Sequence, residues 1–113
     1  MLELWLTALL TLNTPDHPKA LSATTARTQI APLAIARYGQ RGWACLDRLI
    51  DRESVWNPNA KNPRSSARGL FQLLKLPAGL PVIRQYERGV RYLDARYAGS
   101  PCRALAAHGG RWY

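Results

Sequence analysis

The spacing around Glu53 places a carboxyl group on the apolar face of a predicted helix. Leu46, Leu49 and Ile50 define that face, and Glu53 follows them by seven, four and three residues, which are helical repeats at about 100° per residue. A carboxylate on a buried face costs free energy unless it is paired or protonated, and burial raises its pKa. Glu53 is therefore a candidate general acid. The alternative interpretation is that the helix emerges from the core at this turn and that Glu53 pairs with a nearby arginine.

The cysteine and histidine residues are too few and too far apart for a metal or CxxC redox motif. Cys45 and Cys102 are widely separated, and His17 and His108 are the only histidines, so no metal site or other cofactor is expected. The two cysteines are either separate buried thiols or one long-range disulfide. Such a disulfide would stabilise the fold by about 4 kcal/mol in the chain-entropy model and would imply an oxidising compartment.

The elements that would position Glu53 are all helical. Helices are predicted over 24–38, 43–54, 69–76, 83–97 and 103–107, with a polar loop over 57–68. Gly39 is expected to end the first helix, and Pro77, Gly79 and Pro81 to separate the third from the fourth. No stretch alternates between apolar and polar residues for long enough to be a sheet. The predicted fold class is a small all-α domain.

The first 22 residues differ in character from the rest of the chain. Residues 1–12 are apolar and contain Glu3 but no Lys or Arg, which makes a poor signal peptide and favours a packed helix or an anchor on another protein. Pro15 and Pro18 predict a turn or linker over 13–19. The predicted organisation is an N-terminal segment and linker (1–22) followed by one domain (23–113). No apolar run reaches the ~18–20 residues of a membrane span, so none is expected.

The net charge of +9, from 16 Lys and Arg against 7 Asp and Glu in 113 residues, indicates an anionic partner. Nucleic acid is not the expected partner, because the cations are scattered and no zinc-finger spacing or basic region with heptads is present. The arginines are predicted mostly on outward helix faces. A cationic surface of this kind favours adhesion to another anionic polymer.

Several short motifs follow Glu53 in order. Glu-Ser ends the helix at 53–54, Trp-Asn-Pro-Asn-Ala covers 56–60, and Ser-Ala-Arg-Gly-Leu-Phe-Gln covers 66–72. Gly-Val-Arg-Tyr-Leu-Asp-Ala-Arg-Tyr covers 89–97, and Gly-Ser-Pro-Cys covers 99–102. With these motifs, the chain from Trp43 to Tyr113 resembles the soluble lytic transglycosylase family, in the goose-lysozyme-like branch of the lysozyme superfamily. The last motif is similar to that of small actinobacterial and phage members.

This resemblance implies a lysozyme-like fold and cleavage of the β-1,4 bond between N-acetylmuramic acid and N-acetylglucosamine in peptidoglycan. Glu53 would protonate the leaving oxygen and then deprotonate the C6 hydroxyl of the muramic acid, which attacks the anomeric carbon and gives a 1,6-anhydro product. The resemblance also implies a disulfide between Cys45 and Cys102. The residues expected to bind substrate are Ser54, Gly69, Leu70, Gln72, Tyr92 and His108.

One family motif has no counterpart in the chain. Larger members carry an Ala-Tyr-Asn motif whose tyrosine approaches the catalytic glutamate, whereas 105–109 here read Leu-Ala-Ala-His-Gly. Tyr92 and His108 are the candidates to replace that tyrosine.

The expected partner is the glycan strand of peptidoglycan, whose peptide carboxylates would attract the cationic surface. The expected location is outside the cytoplasm, at the cell wall, or in a phage virion, where residues 1–12 would dock on another protein. Two alternatives stay open: a hydrolytic muramidase of the same fold, and a non-catalytic wall-binding or virion protein that retains the fold.

Overall fold

The computed structural model describes residues 18–109 and contains three helices. They are α1 (Pro18–Ser54), α2 (Val82–Tyr97) and α3 (Pro101–His108). Within 18–109 no strand forms, and two isolated bridges are the only β pairing. The predicted all-α class is confirmed. No helix in this part of the chain is long and apolar enough to cross a membrane. The segment predicted over 1–12 lies outside the described residues.

Helix α1 consists of two helical halves joined at Gly39. Gly39 has φ 73° and ψ 176°, a backbone region that is accessible essentially to glycine alone. A Cβ placed there would meet nothing within 4 Å, so conformation and not space requires glycine. The predicted break at Gly39 is confirmed. The first half begins at Pro18, earlier than the predicted residue 24 and inside the predicted linker, because proline is tolerated in the first helical turn.

One hydrophobic core joins the three helices and the loop between α1 and α2. Its fully buried members come from every part of the described chain: Ala26, Ile30, Ala34, Leu46, Leu49, Ile50, Leu70, Leu93 and Ala104. Phe71 packs directly against α2 at Gly89, where a Cβ would come within 2.3 Å of the ring. The absence of a side chain at Gly89 therefore lets the loop approach the helix.

The prediction of a helix over 69–76 is wrong. The amides of Arg68 and Leu73 each donate to the carbonyl of the other at 3.1 Å, which forms an antiparallel bridge and not a helical turn. Gln72 and Lys75 have φ of 52° and 58°, outside the helical region. The apolar residues in this stretch fit either structure, and side-chain hydrogen bonds from distant elements hold the turns that form instead.

The disulfide between Cys45 and Cys102 ties α3 to α1. The two sulfur atoms are 2.02 Å apart and the two Cα atoms 5.0 Å apart, which agrees with the pairing implied by the family resemblance. The hydroxyl of Ser100 accepts from the amide of Arg103 at 3.1 Å and caps the start of α3. With this cap and a proline in its first turn, α3 extends beyond the predicted 103–107 at both ends.

Candidate functional site

The carboxyl group of Glu53 lies inside the protein at the last turn of α1. Its side chain is 3% exposed, and its Oε1 lies 2.9 Å from Nε2 of His108. Its Oε2 is buried and makes no hydrogen bond with any of the residues 18–109. The inward orientation predicted from helical spacing is confirmed. The partner of Glu53 is a histidine, whereas the alternative interpretation expected an arginine.

Burial shifts the ionisation of Glu53. Loss of hydration raises its pKa above the ordinary range for glutamate, and the hydrogen bond and charge of His108 lower it by a smaller amount. Desolvation dominates because only one carboxyl oxygen has a partner. Glu53 therefore holds its proton at a higher pH than an exposed glutamate, as a general acid requires.

Helix geometry explains how His108 reaches Glu53. Glu53 follows Cys45 by eight residues on α1, and His108 follows Cys102 by six residues on α3, which correspond to about 12 Å and about 9 Å of helix. The disulfide and the His108–Glu53 pair thus occur in the same order along both helices. The two helices consequently run in the same direction, fixed at one end by a covalent bond and at the other by the carboxyl group.

A groove with a volume of about 1140 Å³ opens beside Glu53. The residues that line it come from the end of α1, the loop and one face of α2: Glu53, Asn62, Arg64, Ser65, Ala67, Gln72, Leu73, Leu74, Leu76, Arg88, Arg91, Tyr92 and Arg96. Glu53 is the only carboxyl group among them. Of the predicted site residues, Glu53, Gln72 and Tyr92 line this groove.

Gln72 and Tyr92 line the groove beside Glu53. Nε2 of Gln72 donates to the carbonyls of Gly69 and Ala60 at 3.0 and 3.2 Å, which fixes the amide plane. Burial raises the pKa of the Tyr92 hydroxyl; the charge of Arg96 opposes this increase, and the charges of Tyr97 and Glu53 add to it. The ionisation of Tyr92 is thus coupled to the charged groups of the groove.

Ser54, Gly69 and Leu70 contact protein and are not part of the groove lining. The hydroxyl of Ser54 lies 2.8 Å from the carbonyl oxygen of Leu70, which is fully buried. Gly69 has φ 79°, and a Cβ there would come within 2.4 Å of Oε1 of Gln85. In this structure the three predicted substrate-binding residues join the loop to α1 and α2, so they position the groove wall.

A polar network fixes the opposite side of the second half of α1. Nε and Nη2 of Arg27 donate to the two carboxylate oxygens of Asp47 at 3.0 and 2.6 Å, and Nε1 of Trp56 donates to the same carboxylate at 2.8 Å. The hydrogen bond from Arg27 is the main cause that lowers the pKa of Asp47. The ring of Trp56 packs against Trp43, with centroids 5.8 Å apart. These contacts hold the residues after Glu53 against the helix.

Gln85 is the main structural residue that sequence reasoning missed. It is 3% exposed, its Oε1 accepts from the amide of Leu70 at 2.9 Å, and its Nε2 donates to the carbonyls of Pro58 and Leu80 at 3.0 and 2.8 Å. The signal was available, because Gln85 precedes Gly89 and Leu93 by four and eight residues on the buried face of α2. A polar residue at such a position indicates a buried hydrogen-bonding role.

Comparison with known protein families, curated proteins and solved structures gives no match. Across residues 18–109, no group of three His, Cys, Asp or Glu side chains could hold a metal ion. The functional argument consequently depends on the residues of this chain and on the geometry of the groove.

Proposed function

We propose that this protein is a peptidoglycan lytic transglycosylase in which Glu53 is the general acid and base. The observation that carries the proposal is a single buried carboxyl group, with a raised pKa, at the wall of an open groove. A carboxyl group in this environment is suited to protonate a leaving oxygen. The motifs shared with the lytic transglycosylase family support the choice of substrate.

In the proposed reaction the carboxyl group of Glu53 acts first as an acid and then as a base. His108 holds the group by its contact with Oε1. The protonated carboxyl group donates its proton to the glycosidic oxygen as the bond from this oxygen to the anomeric carbon breaks. The C6 hydroxyl oxygen of N-acetylmuramic acid then bonds to the anomeric carbon, and its proton returns to Glu53. The enzyme recovers its starting state without consuming water.

The composition of the groove favours this route over hydrolysis. Glycosidases that use water or a covalent intermediate generally need a second carboxylate on the other side of the scissile bond. Among the described residues, Glu53 is the only carboxyl group that lines the groove. Asp47, another carboxylate on α1, is already held by Arg27 and Trp56. An attacking hydroxyl that belongs to the substrate makes the second carboxylate unnecessary.

The disulfide supports a location outside a reducing cytoplasm. Cys45 and Cys102 form this disulfide, and no free cysteine is present within 18–109. We place the proposed activity at the cell wall or in a phage virion that reaches the wall. Docking of residues 1–12 on a virion partner remains a prediction.

Product analysis of digested peptidoglycan tests the proposal. Wild-type protein is expected to release fragments that end in 1,6-anhydro-muramic acid, detected by mass spectrometry. Glu53→Gln, which preserves size, is expected to reduce release by about 10²–10⁴-fold, the usual contribution of a general acid. The matched control Glu87→Gln changes a carboxylate that is 48% exposed and does not line the groove, and it should retain full activity.

Each contrary result identifies a different function. Fragments with a reducing end in place of the anhydro sugar would make the protein a muramidase that uses water. Wall lysis that continues unchanged in Glu53→Gln would leave a wall-binding or structural protein.

A further inference from the structure

Four arginines that have no acidic partner among residues 18–109 line the groove. Arg88, Arg91 and Arg96 lie on α2, and Arg64 comes from the loop. We call these four residues the arginine wall. The three on α2 extend along about 12 Å of helix, so they follow the groove and do not cluster at one point.

Three other arginines of the described chain have acidic partners, whereas Arg48 and Arg103, which lie outside the groove, have none within 18–109. Arg27 pairs with Asp47, Arg37 with Asp94 and Arg84 with Glu87. No carboxylate within 18–109 pairs with the arginine wall. Charges of one sign gathered in a groove repel one another and attract a mobile anion.

Glu53 does not serve as the counter-ion of the arginine wall. Its partner is His108, and the groups that shift its pKa do not include any of the four arginines. The Oε1 atom of Glu53 is already engaged by His108 at 2.9 Å, and the Glu53 side chain is 3% exposed. The groove therefore combines one acid with a separate surface that is positively charged.

Aromatic contacts hold one member of the wall in position. The guanidinium carbon of Arg96 lies 5.8 Å from the ring centre of Tyr92 and 6.0 Å from that of Tyr97. These cation–π contacts restrict the side chain. Its N–H groups remain available to donate, and the planar guanidinium matches the two oxygens of a carboxylate or the oxygens of a phosphate.

We propose that the arginine wall is a subsite for oxyanions carried by the glycan, so that the groove prefers anionic glycans to neutral ones. Carboxylates or phosphates attached along the glycan strand would accept hydrogen bonds from the N–H groups of Arg88, Arg91 and Arg96. Leucines in the same lining, Leu73, Leu74 and Leu76, contact uncharged parts of the ligand. The identity of the polymer rests on the proposed function, whereas the charge requirement follows from the wall alone.

Binding measured without turnover tests this subsite. Glu53→Gln protein is titrated by calorimetry with three purified ligands: neutral N-acetylglucosamine oligomers, peptide-bearing glycan fragments free of phosphate polymers, and a phosphate-rich wall polymer free of glycan. We expect at least one anionic ligand to bind at least about tenfold more tightly than the neutral oligomers, equivalent to about 1.4 kcal/mol. The ligand that binds identifies whether the oxyanion is a carboxylate or a phosphate.

Charge reversal at matched positions separates a subsite from general charge attraction. In the Glu53→Gln background, the pair Arg88→Glu and Arg91→Glu should weaken anion binding by at least about tenfold. The control pair Arg48→Glu and Arg103→Glu changes the net charge equally at exposed positions outside the groove lining, and it should change binding less than about twofold. Circular dichroism confirms folding, and alanine replaces glutamate at residues 88 and 91 if the first pair does not fold.

Two results would overturn the subsite. One is equal affinity for neutral and anionic ligands, and the other is equal loss of affinity in the wall and control pairs. Failure of the proposed function looks different. In that case the Glu53→Gln substitution leaves wall lysis unchanged in the product analysis, while the preference for anionic ligands and its dependence on Arg88 and Arg91 persist.

Discussion

Replacing Glu53 by glutamine should make the protein more stable as it makes it inactive. In the native state Oε2 of Glu53 is buried without a hydrogen bond from the described residues, and burial raises the pKa of the group above its unfolded value. The folded protein thus binds the proton more tightly than the unfolded chain. Stability is then highest at a pH below the unfolded pKa, and it falls as the pH rises through the native pKa. Glutamine, which carries no charge, avoids this loss.

The size of the effect follows from the environment of the carboxyl group. Glutamine also buries a polar group at this position, so the substitution recovers only the additional cost of the charge, which is about 1.4 kcal/mol for each unit by which burial raises the pKa. We therefore expect Glu53→Gln to raise the free energy of unfolding by at least about 1 kcal/mol at pH 8. For a domain of this size each kcal/mol corresponds to about 4–8 °C in Tm. At pH 4 or below, where Glu53 is protonated in the native state, the difference should nearly disappear.

Thermal unfolding followed by circular dichroism at pH 4 and pH 8 measures this difference directly. Glu87→Gln is the control, because the Glu87 side chain is 48% exposed and pairs only with Arg84 on the surface. It should change stability by less than about 0.5 kcal/mol at either pH. A Glu53→Gln variant that is no more stable than wild type at pH 8, or whose advantage is the same at pH 4, would refute the argument that the buried charge of Glu53 costs stability.

Three further experiments test how the site is held. Replacing Cys45 and Cys102 by serine should cost about 4 kcal/mol by the chain-entropy model, measured by urea unfolding; a loss below about 1 kcal/mol would mean that the packing of α3 suffices. Gly69→Ala should be more destabilising than Gly79→Ala by at least about 1 kcal/mol. Both glycines have positive φ, but of the two only Gly69 has neighbouring atoms where a Cβ would lie. Equal Tm values for the two variants would argue against this crowding. Val55 has φ 51° and is 71% exposed, so Val55→Asn should raise Tm by a few degrees, or about 0.5–1 kcal/mol, and a lower Tm would contradict the strain.

Helical periodicity was sufficient to predict the buried orientation of Glu53, because the residues that define its face lie within two turns of it. The same logic would have identified Gln85, whose neighbours on the buried face are also local. Helix propensity and local spacing did not predict the structure of residues 69–76. The amide of Leu70 is taken by Gln85 and its carbonyl by Ser54, and no propensity of the segment itself encodes these distant partners.

His108 and Glu53 are in contact although 55 residues separate them along the chain. The sequence indicated Tyr92 and His108 as the residues that could take the place of the family tyrosine beside Glu53, but only the packing of α3 on α1 brings the imidazole to the carboxyl group. The arginine wall was not predicted from the sequence, for a related reason. Outward-facing arginines on α2 resemble ordinary surface charge until the loop folds beside them and turns that surface into one side of a groove.

The dependence of Glu53 on α3 also has a consequence for the order in which the protein matures. A chain that has been synthesised only as far as α2 already contains Glu53 but lacks His108, which arrives with α3. Until α3 docks on α1, the carboxyl group of Glu53 lacks its contact with His108. The site is thus completed late, at the step that joins α3 to α1.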